Sequence, residues 1–346
     1  GVAGALRLGE PRGHGGQALG PRGGEALVLH LALRHVPAVV GGLRDLDDEA
    51  LLLLHPVDHL EEPLALGGGE AGEDGATIEL VEEGPVRAVI RVKSRFRDSS
   101  FEQDLILYAG LARLDLRTSL DWRERNIMIK AAFPLDIGSP TARFEIPYGS
   151  IVRPADGTEV PALRWIDVSA GSGDYGVALL NDSKYGFDVK GGVMRMSVVH
   201  GATYPDPEAD RGRQELRYAI VPHRGDWKAA EVARRGFELN NPLIARVPMV
   251  HPGALPKVHS FVKAGPANVV LSALKKEMGY AEPGLILRLY EIHGEKAAAK
   301  IELPWAVEAQ ETDLIERPTG KSLGSGRTIT VPMEPYEIKT IRVVRK

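Results

Sequence analysis

The chain contains no cysteine in its 346 residues. That absence excludes disulfide bonds, a thiolate nucleophile and any zinc site built on cysteine, and it fits a cytoplasmic protein. The chain also lacks an apolar run of the roughly 20 residues that a membrane-spanning helix needs. No secretory signal and no initiator methionine open it. We therefore expect a soluble, cytoplasmic protein. The lack of an initiator methionine also fits a fragment of a longer protein.

The chain also lacks a large net charge of either sign. The formal net charge is -4, and no concentrated basic run occurs. Because nucleic acids and anionic membranes both require a basic surface, neither is expected as a partner. A content of 43% hydrophobic and 26% charged residues is ordinary for globular proteins, and the length suffices for two domains.

The first 76 residues use only ten amino-acid types, and Thr77 and Ile78 are the first exceptions. All ten types have codons that begin with G or C, as expected when GC-rich DNA is read in a wrong frame. Our hypothesis is that residues 1–76 are a wrong-frame translation joined to a genuine reading frame. The alternative is a low-complexity, glycine-rich leader or an amphipathic helical segment. We assign no function here, including to a His-Asp-His cluster that resembles a metal site only superficially: His55, Asp58 and His59.

From Thr77 onward, short apolar or alternating runs recur between turn residues, which predicts strands. Leu114, Leu116, Thr118 and Leu120 alternate with charged residues, so one face of that strand is wet and antiparallel pairing is favoured. No helix long enough for parallel crossovers intervenes. The pattern predicts a mainly β protein with a large antiparallel β-sandwich at 77–226.

One helix is predicted in the segment that begins at Gly225. Asp226 can cap it, and Trp227, Ala230, Val232 and Ala233 supply an apolar side. We predict a connecting helix and linker at 227–245, followed by a smaller terminal β-sandwich at 246–346.

The search for chemistry excludes several motifs. A phosphate loop at Gly320, Lys321 and Ser322 lacks the glycine required where Ile315 stands, so a glycine-rich hairpin loop is preferred there. Histidines in strand contexts, such as His200 and His259, are expected to be structural. No catalytic residue, metal ligand or cofactor site is predicted in this chain.

Pairs of carboxylates remain, because glycoside hydrolysis needs two acids about 5 to 10 Å apart. Most are expected to be solvated turn residues, with an Asx turn from Asn181 to Ser183. The candidate acids are Asp121 with Glu124, Asp182 with Asp188, and Asp206, Glu208 and Asp210. Aromatic residues make up only 6% of the chain. The tryptophans stand beside patterns that can bury them, at Trp122, Trp165, Trp227 and Trp305.

Several stretches together resemble the C-terminal half of glycoside hydrolase family 38 α-mannosidases, of the bacterial and cytosolic type. They are "VEEGPVRAVIRV", "LYAGLARLDLRTSLDWRERNIMIKAAFPLDI", "FELNNPL" and, most specific, the block from Tyr175 to Trp227. "GLILRLYEIHG" and "EIKTIRV" resemble that family's terminal β-sandwich. The resemblance covers about residues 79–346. It implies a galactose mutarotase-like supersandwich followed by the smaller sandwich.

The resemblance implies a retaining α-mannosidase that uses zinc and an aspartate nucleophile, both in an N-terminal α/β domain absent from this chain. The C-terminal half would pack on that domain, complete one wall of the substrate cleft and support homo-oligomers. A loop like "DRGR" approaches the bound sugar in the family, and the matching positions are Asp210, Arg211 and Arg213. An arginine fork can hold sugar hydroxyls or a carboxylate. The alternative for this loop is a salt-bridged connection that faces solvent or the missing domain.

Three functions compete on the sequence. The favoured one is a truncated α-mannosidase, inactive alone, that supports a catalytic domain acting on α-mannoside glycans. The second is a stand-alone carbohydrate-binding β-sandwich, which needs an exposed aromatic platform. The third, weakest for want of a zinc motif, is a self-sufficient hydrolase that uses loop acids.

The DNA upstream of the Thr77 codon provides the first test. We predict that it encodes a zinc-binding α/β domain, in frame or one base out of frame. If no such domain is found by sequencing, the truncated-mannosidase account loses its main support. A continuous in-frame homologue upstream of Thr77, with normal wobble bias, would instead contradict the hypothesis that residues 1–76 are a wrong-frame translation.

Overall fold

The structure is a computed structural model of the whole chain. It describes the backbone of two short N-terminal strands and, beyond them, residues 76–247, 249, 252–278 and 284–346. The cluster of His55, Asp58 and His59 lies outside the described residues.

The described chain is mainly β, as predicted. In the first part of the chain the strands are β1 Arg7–Gly9, β2 Glu25–His30, β3 Thr77–Glu83, β4 Arg87–Phe96, β5 Ser99–Tyr108, β6 Leu114–Trp122, β7 Ile127–Pro134, β8 Thr141–Ile146, β9 Gly149–Arg153, β10 Val160–Pro161, β11 Trp165–Ser169, β12 Tyr175–Asn181, β13 Gly186–Lys190, β14 Val193–Val199 and β15 Gly212–Arg224. Helix α1, Val232–Asn240, follows them. The remaining strands are β16 Lys263–Gly265, β17 Val269–Lys276, β18 Leu285–Glu291, β19 Ala297–Thr312, β20 Pro318–Met333 and β21 Ile338–Arg345.

The chain divides into two units. The first extends to Pro242, except for Ile146–Ile151, which group with Leu243–Lys346 in the second unit. In the first unit, one sheet has six strands in the order β1-β2-β7-β14-β13-β10. The other has nine, in the order β3-β4-β5-β6-β15-β12-β11-β8-β9. Helix α1 lies at the end of this unit, within the predicted connecting segment.

Apolar residues that alternate along the strands form the faces by which the two sheets of the first unit pack together. Leu114, Leu116, Thr118 and Leu120 on β6 are buried, as predicted, and the residues that alternate with them are exposed or half-buried. Ile129 on β7 belongs to the same apolar cluster as these leucines. Since β6 and β7 lie in different sheets, this shared cluster is the core of a β-sandwich.

A buried polar contact accompanies this apolar packing. Gln103 on β5 donates hydrogen bonds from Nε2 to Thr118 Oγ1 at 2.8 Å and to the Tyr218 hydroxyl at 2.5 Å. Tyr218 on β15 also meets Phe133 edge-on, with ring centroids 6.1 Å apart. Burial raises the pKa of Tyr218 above its ordinary value. The phenol therefore stays neutral and tied to its neighbours on two strands.

Strand β2 lies ahead of the predicted sandwich at 77–226 and pairs with β7 in parallel. Two sequence expectations need correction. Strand β11 was missed although Ile166 and Val168 alternate with Asp167 and Ser169, and all five of its residues are buried. Helix α1 begins at Val232 rather than next to Asp226, whose carboxylate instead accepts bonds from Lys228 and Ala229 in the preceding turn.

The second unit contains one further sheet, in the order β16-β19-β21-β18-β17, with β20 paired to β19. A cluster of buried apolar residues forms its core and includes Leu287, Ile301, Val331 and Ile341. The glycine-rich segment around Gly320, predicted to be a hairpin loop, is instead the first half of β20. The shifts in register of this pairing explain why glycines are tolerated inside a strand.

One buried carboxylate organises a turn region of the second unit. Glu291, at the end of β18, accepts backbone N–H bonds from His293, Gly294 and Tyr336, and a side-chain bond from Asn268, all between 2.8 and 3.0 Å. Burial acts to raise the pKa of Glu291, but these donors outweigh it, and the net pKa lies below its ordinary value. The ionised form is therefore the one that holds the loops together.

Replacement of Glu291 by glutamine should destabilise the second unit. We expect a loss of about 3 kcal/mol in the free energy of unfolding, because buried backbone donors lose an ionised acceptor. The exposed Glu308→Gln change on β19 is the matched control and should cost little. Because the folded pKa of Glu291 is below the ordinary 4.5, its contribution should be present above about pH 4.5 and lost as the pH falls further. Urea unfolding at pH 7 and pH 3.5 measures both effects, and equal destabilisation by the two variants at pH 7 would contradict the assignment.

Candidate functional site

The predicted site residues lie where three connections of the first unit meet. We call this the loop cluster: residues 200–211 between β14 and β15, 123–126 between β6 and β7, and 182–185 between β12 and β13. The first two are joined by the bond from Asn126 N to Gly201 O, 2.7 Å long, and by Thr203 Oγ1 to Asn126 Oδ1 at 3.1 Å. The two connections therefore form one supported surface.

Asp210 closes the long loop. Its Oδ2 accepts backbone hydrogen bonds from His200 at 3.1 Å and from Gly201 at 2.9 Å. Its own backbone has φ 66°, in the left-handed region that aspartate tolerates better than most residues. Gln214 donates from Nε2 to the Asp210 carbonyl at 2.6 Å. Asp210 is thus a loop anchor rather than a free acid.

Arg211 is committed to the protein itself. Its Nε donates to the Arg123 carbonyl at 3.1 Å, and its Nη1 forms an ion pair with Glu208. Glu208 also pairs with Arg125. The hydrogen bond from Arg211 is the main cause of the lowered pKa of Glu208, and Arg125 adds to it. These contacts match the salt-bridged alternative that the sequence left open for this loop.

Arg213 differs from Arg211. It is the second residue of β15, its side chain is 73% exposed, and its Nη2 contacts Glu215 Oε1 at 2.7 Å. Because exposed ion pairs are weak, this guanidinium can exchange its partner at little cost. Of the two arginines that the sequence singles out, Arg213 is the one available to a ligand.

Lys184 belongs to the same cluster, and the sequence reasoning missed it. Its Nζ donates to Gln214 Oε1 at 3.3 Å, which links the turn at 182–185 to β15. Burial lowers its pKa, while the nearby carboxylates of Asp210 and Asp182 partly offset that effect. The signal that could have located it is the Asx turn, which is confirmed: Asn181 Oδ1 accepts the backbone N–H groups of Ser183 and Lys184.

The other candidate acids are bonded to their own chain. Asp121 binds Arg123 at 2.7 Å, and Asp182 accepts bonds from Arg217 at 3.0 and 3.1 Å. Asp188 lies on β13 and binds Lys130 at 2.7 Å. The remaining contacts are Glu124 with Ser99 and with the backbone of Asp98, and Asp206 with the backbone of Glu208. Asp182 and Asp188 serve different networks, so they do not form a catalytic pair.

A buried serine, histidine and aspartate also meet, on β11 and β15. Asp167 accepts a bond from Ser169 Oγ at 2.5 Å and lies 2.6 Å from His223 Nε2. The serine hydroxyl donates to the carboxylate and not to the imidazole, and all three residues are buried. A nucleophilic triad needs the serine on the histidine and open to substrate, so this group is structural.

Exposed aromatic side chains at the loop cluster are tyrosines. Tyr204 is 88% exposed and Tyr185 is 62% exposed. The tryptophans behave as predicted at three positions, where they are buried, while Trp305 is half-buried beneath Arg345. An aromatic platform for a sugar, if used, would therefore come from tyrosine.

The described residues do not fit a zinc ion, since no group of three histidines, aspartates or glutamates among them could hold a metal. Lys321, from the discarded phosphate-loop motif, contacts Glu311 at 3.0 Å on the surface of the second unit. A cleft of about 650 Å³ is lined by 135–140, Ala155, Gly191 and Gly192. It lies at the other end of β14 from the loop cluster. No helix in the described part of the chain is long and apolar enough to cross a membrane.

Two domains of one glycosyl hydrolase family match the chain. Residues 61–208 match "Glycosyl hydrolases family 38 C-terminal domain" and residues 268–341 match "Glycosyl hydrolases family 38 C-terminal beta sandwich domain". The first match begins inside the segment 1–76, ahead of the predicted start of the resemblance at residue 79. The wrong-frame origin of that segment stays a prediction.

Curated relatives are named as mannosidases. The chain is 33% identical to "Alpha-mannosidase 2C1" of Mus musculus over 260 residues, which cover 71% of this chain and 24% of that protein. It is 28% identical to "Alpha-mannosidase G" of Dictyostelium discoideum over 306 residues, covering 82% of this chain and 27% of the relative. The chain thus spans about a quarter of the length of the relatives it matches.

A solved structure shares the fold. The alpha-mannosidase from Enterococcus faecalis V583 superposes with a TM-score of 0.67, at 15% identity, over 78% of this chain and 35% of that one. At this identity the likeness shows the fold alone.

Gly201 should be intolerant of any side chain. Its φ is +62°, and a Cβ atom there would lie 2.4 Å from the Ile127 carbonyl oxygen. We expect Gly201→Ala to cost about 3 kcal/mol, from backbone strain together with a displaced loop. Gly110→Ala is the matched control, since Gly110 has φ +71° and open space around it. It should cost only about 1 kcal/mol.

Thermal unfolding and hydrogen exchange over residues 200–212 measure the Gly201 effect. The steric account fails if the two alanine variants unfold alike and exchange over 200–212 is unchanged.

Proposed function

Because the chain carries both C-terminal domains of glycosyl hydrolase family 38 and is homologous to alpha-mannosidases, we propose that it is the non-catalytic C-terminal portion of a zinc-dependent, retaining α-mannosidase. In this proposal it supports a catalytic region outside this chain and forms one wall of the substrate cleft during glycan degradation.

The observation that carries the proposal is the state of the loop cluster. Asp210, Asp182 and Glu208 are held by hydrogen bonds from the chain itself, whereas Arg213 and Tyr204 are exposed. Acids that hold their own loops make a supported surface, and none of these three acids is without a partner in the chain. This arrangement suits a wall that positions a sugar rather than a centre that cleaves it.

Zinc and the nucleophile belong, in this proposal, to the region outside the chain. The described residues do not fit the metal, and no step performed here passes through it. What this chain supplies is orientation and exclusion of water along one side of the cleft.

Direct sugar contact is proposed for Arg213, with Asp210 and Arg211 as residues that position it. A guanidinium presents paired N–H donors that match two neighbouring hydroxyl oxygens. Arg211 already uses its donors on Arg123 and Glu208. It therefore fixes the loop from which β15 begins, two residues before Arg213.

The cellular setting follows from the same proposal. We place the complete enzyme in the cytoplasm, in mannose metabolism, acting on α-mannoside glycans. A second copy of the chain is the other partner that we propose.

The isolated chain should not hydrolyse an aryl α-mannoside, with or without added Zn²⁺. The reason is that Asp182, Glu208 and Asp210 are bound by donors of the chain itself. Release of the aryl group, followed by absorbance, measures turnover. Turnover above background that disappears in Asp210→Asn or Asp182→Asn would overturn the proposal in favour of a self-sufficient hydrolase.

A stand-alone carbohydrate-binding module is the second candidate, favoured by the exposure of Tyr204 and Tyr185. The proposed function predicts no mannobiose binding by the chain alone below roughly 10 mM, whereas a binding module should bind at or below about 1 mM. NMR titration separates the two, with Tyr204→Ala and Arg213→Ala compared against the exposed control Arg327→Ala. Binding lost in the first two variants and kept in the third would favour the module.

A further inference from the structure

Two exposed tyrosines of the second unit occupy turns of the same kind. Tyr148 lies in "IPYG", where β8 meets β9, and Tyr336 lies in "EPYE", between β20 and β21, so each follows a proline. Their φ angles are 59° and 57°, and both residues are 42% exposed. The segment Ile146–Ile151, which includes Tyr148, groups with the second unit. The two tyrosines therefore belong to one part of the molecule.

The backbone of both tyrosines has a conformation that glycine adopts at less cost. The hydrogen bond from Glu337 N to Glu334 O, 3.1 Å long, closes the second turn, and Tyr336 stands at its third position. Proline at the second position and a positive φ at the third are typical of a type II turn, in which glycine is favoured at the third. A bulky residue with positive φ is strained, and strained residues cluster at ligand sites. A tyrosine at two such positions indicates that the ring itself has a function.

Each ring is fixed on one side by a packing contact. Tyr148 meets the buried Tyr290 edge-on, with ring centroids 5.2 Å apart. Tyr336 packs against two glycines, since a Cβ atom on Gly294 would lie 2.7 Å from its Cε2 and one on Gly149 would lie 3.4 Å from its Cδ1. Because Gly149 follows Tyr148 in the chain, the two tyrosines are neighbours.

The ionised Glu291 holds this arrangement in place. It accepts the backbone N–H groups of Gly294 and Tyr336 at 2.8 and 3.0 Å. Exposed polar groups stand close by in the chain, since Glu334, two residues before Tyr336, meets Lys296 Nζ at 3.0 Å. The site thus offers fixed aromatic surface together with hydrogen-bond donors and acceptors.

The exposed area of the two tyrosines matches a small molecule better than a protein. A tyrosine that can bury about 200 Å² leaves roughly 80 Å² open at 42% exposure, so the two leave roughly 160 Å². A specific protein interface takes about 800 Å² from each partner. Because tyrosine combines an apolar ring with a polar hydroxyl, it suits a ligand that carries C–H groups and hydroxyls together. Sugars have that combination.

We propose that Tyr148 and Tyr336 bind a β-linked pyranose residue whose ring substituents are all equatorial, as in a β-glucoside. Such a ring presents axial C–H bonds on both faces and can lie on an aromatic surface, while its equatorial hydroxyls point outward to polar groups. An α-mannose residue carries an axial oxygen on each face, O1 on one and O2 on the other, so it stacks less closely. The site therefore differs from the loop cluster in its ligand as well as in its place.

The binding itself does not rest on the proposed function. If both hold, the complete enzyme would prefer glycans that carry a β-linked residue besides the α-mannoside bond, and that preference does rest on it. Failure of the tyrosine site would leave Arg213 and the loop cluster untouched.

Titration of the full chain with cellobiose, followed by NMR of ¹³C-labelled tyrosine rings, tests the site. We expect a dissociation constant of about 1 to 5 mM, with shifts of the ring signals of Tyr148 and Tyr336, which their variants assign. Tyr148→Asn and Tyr336→Asn should each weaken binding at least roughly fivefold, and the double variant should abolish it. Because asparagine tolerates a positive φ, these variants should fold.

Two controls separate stacking from folding. Tyr336→Phe keeps the ring and should retain binding within about threefold. Leu314→Asn replaces another exposed apolar residue of the second unit, 58% exposed, and should bind as the wild type does. Circular dichroism checks that each variant is folded.

The choice of sugar tests the ligand class. Mannobiose with an α linkage should not bind below roughly 10 mM, and equal binding of mannobiose and cellobiose at the tyrosines overturns the assignment. A chain that fails to bind cellobiose below about 10 mM overturns the proposal, as does binding that both asparagine variants keep. Cellobiose binding that is lost in Tyr204→Ala and kept in the asparagine variants overturns it in favour of the loop cluster.

Discussion

The register of β15 is the constraint on which the first unit depends. This strand occupies the middle of the nine-stranded sheet, between β6 and β12. Because side chains alternate between faces, a slip of one residue would move Leu216, Tyr218 and Ile220 out of the core. The hydrogen bond between Gln103 and Tyr218 opposes such a slip, since a displaced phenol would deprive the buried Gln103 amide of one of its two acceptors. A single neutral polar contact thus fixes what apolar packing alone would fix less sharply.

The same register decides what the loop cluster can do. Once Leu216 faces inward, Arg213 and Glu215 face away from the core and Gln214 meets Lys184. Asp210 then closes the loop just ahead of the strand through two backbone bonds. The charged residues of this stretch consequently differ in role although they resemble one another in sequence. Some hold the backbone, and a few remain open to a ligand.

The turns of the second unit are held together by a different kind of interaction, a buried carboxylate. Its turns gather around the ionised Glu291, whose donors come from segments far apart in the chain, as Asn268 and Tyr336 show.

The sequence alone determined that the chain is a β protein, because a two-residue alternation such as that of Leu114, Leu116 and Leu120 reports one wet and one buried face wherever it occurs. It also located the Asx turn at Asn181 and most strands. Strand β11 was not predicted, although Ile166 and Val168 alternate with Asp167 and Ser169 along it. The placement of Gly320 inside a strand was not predicted because pairing is a long-range property.

Only the tertiary structure decided which charged residues at the loop cluster already have partners in the chain and which remain accessible to a ligand. Arg211 and Arg213 are chemically alike and two positions apart. Arg211 meets the Arg123 carbonyl of another loop and Glu208 of its own, whereas Arg213 faces solvent on β15. Local sequence cannot distinguish them, because the partners that consume a side chain's hydrogen bonds are brought to it by the fold.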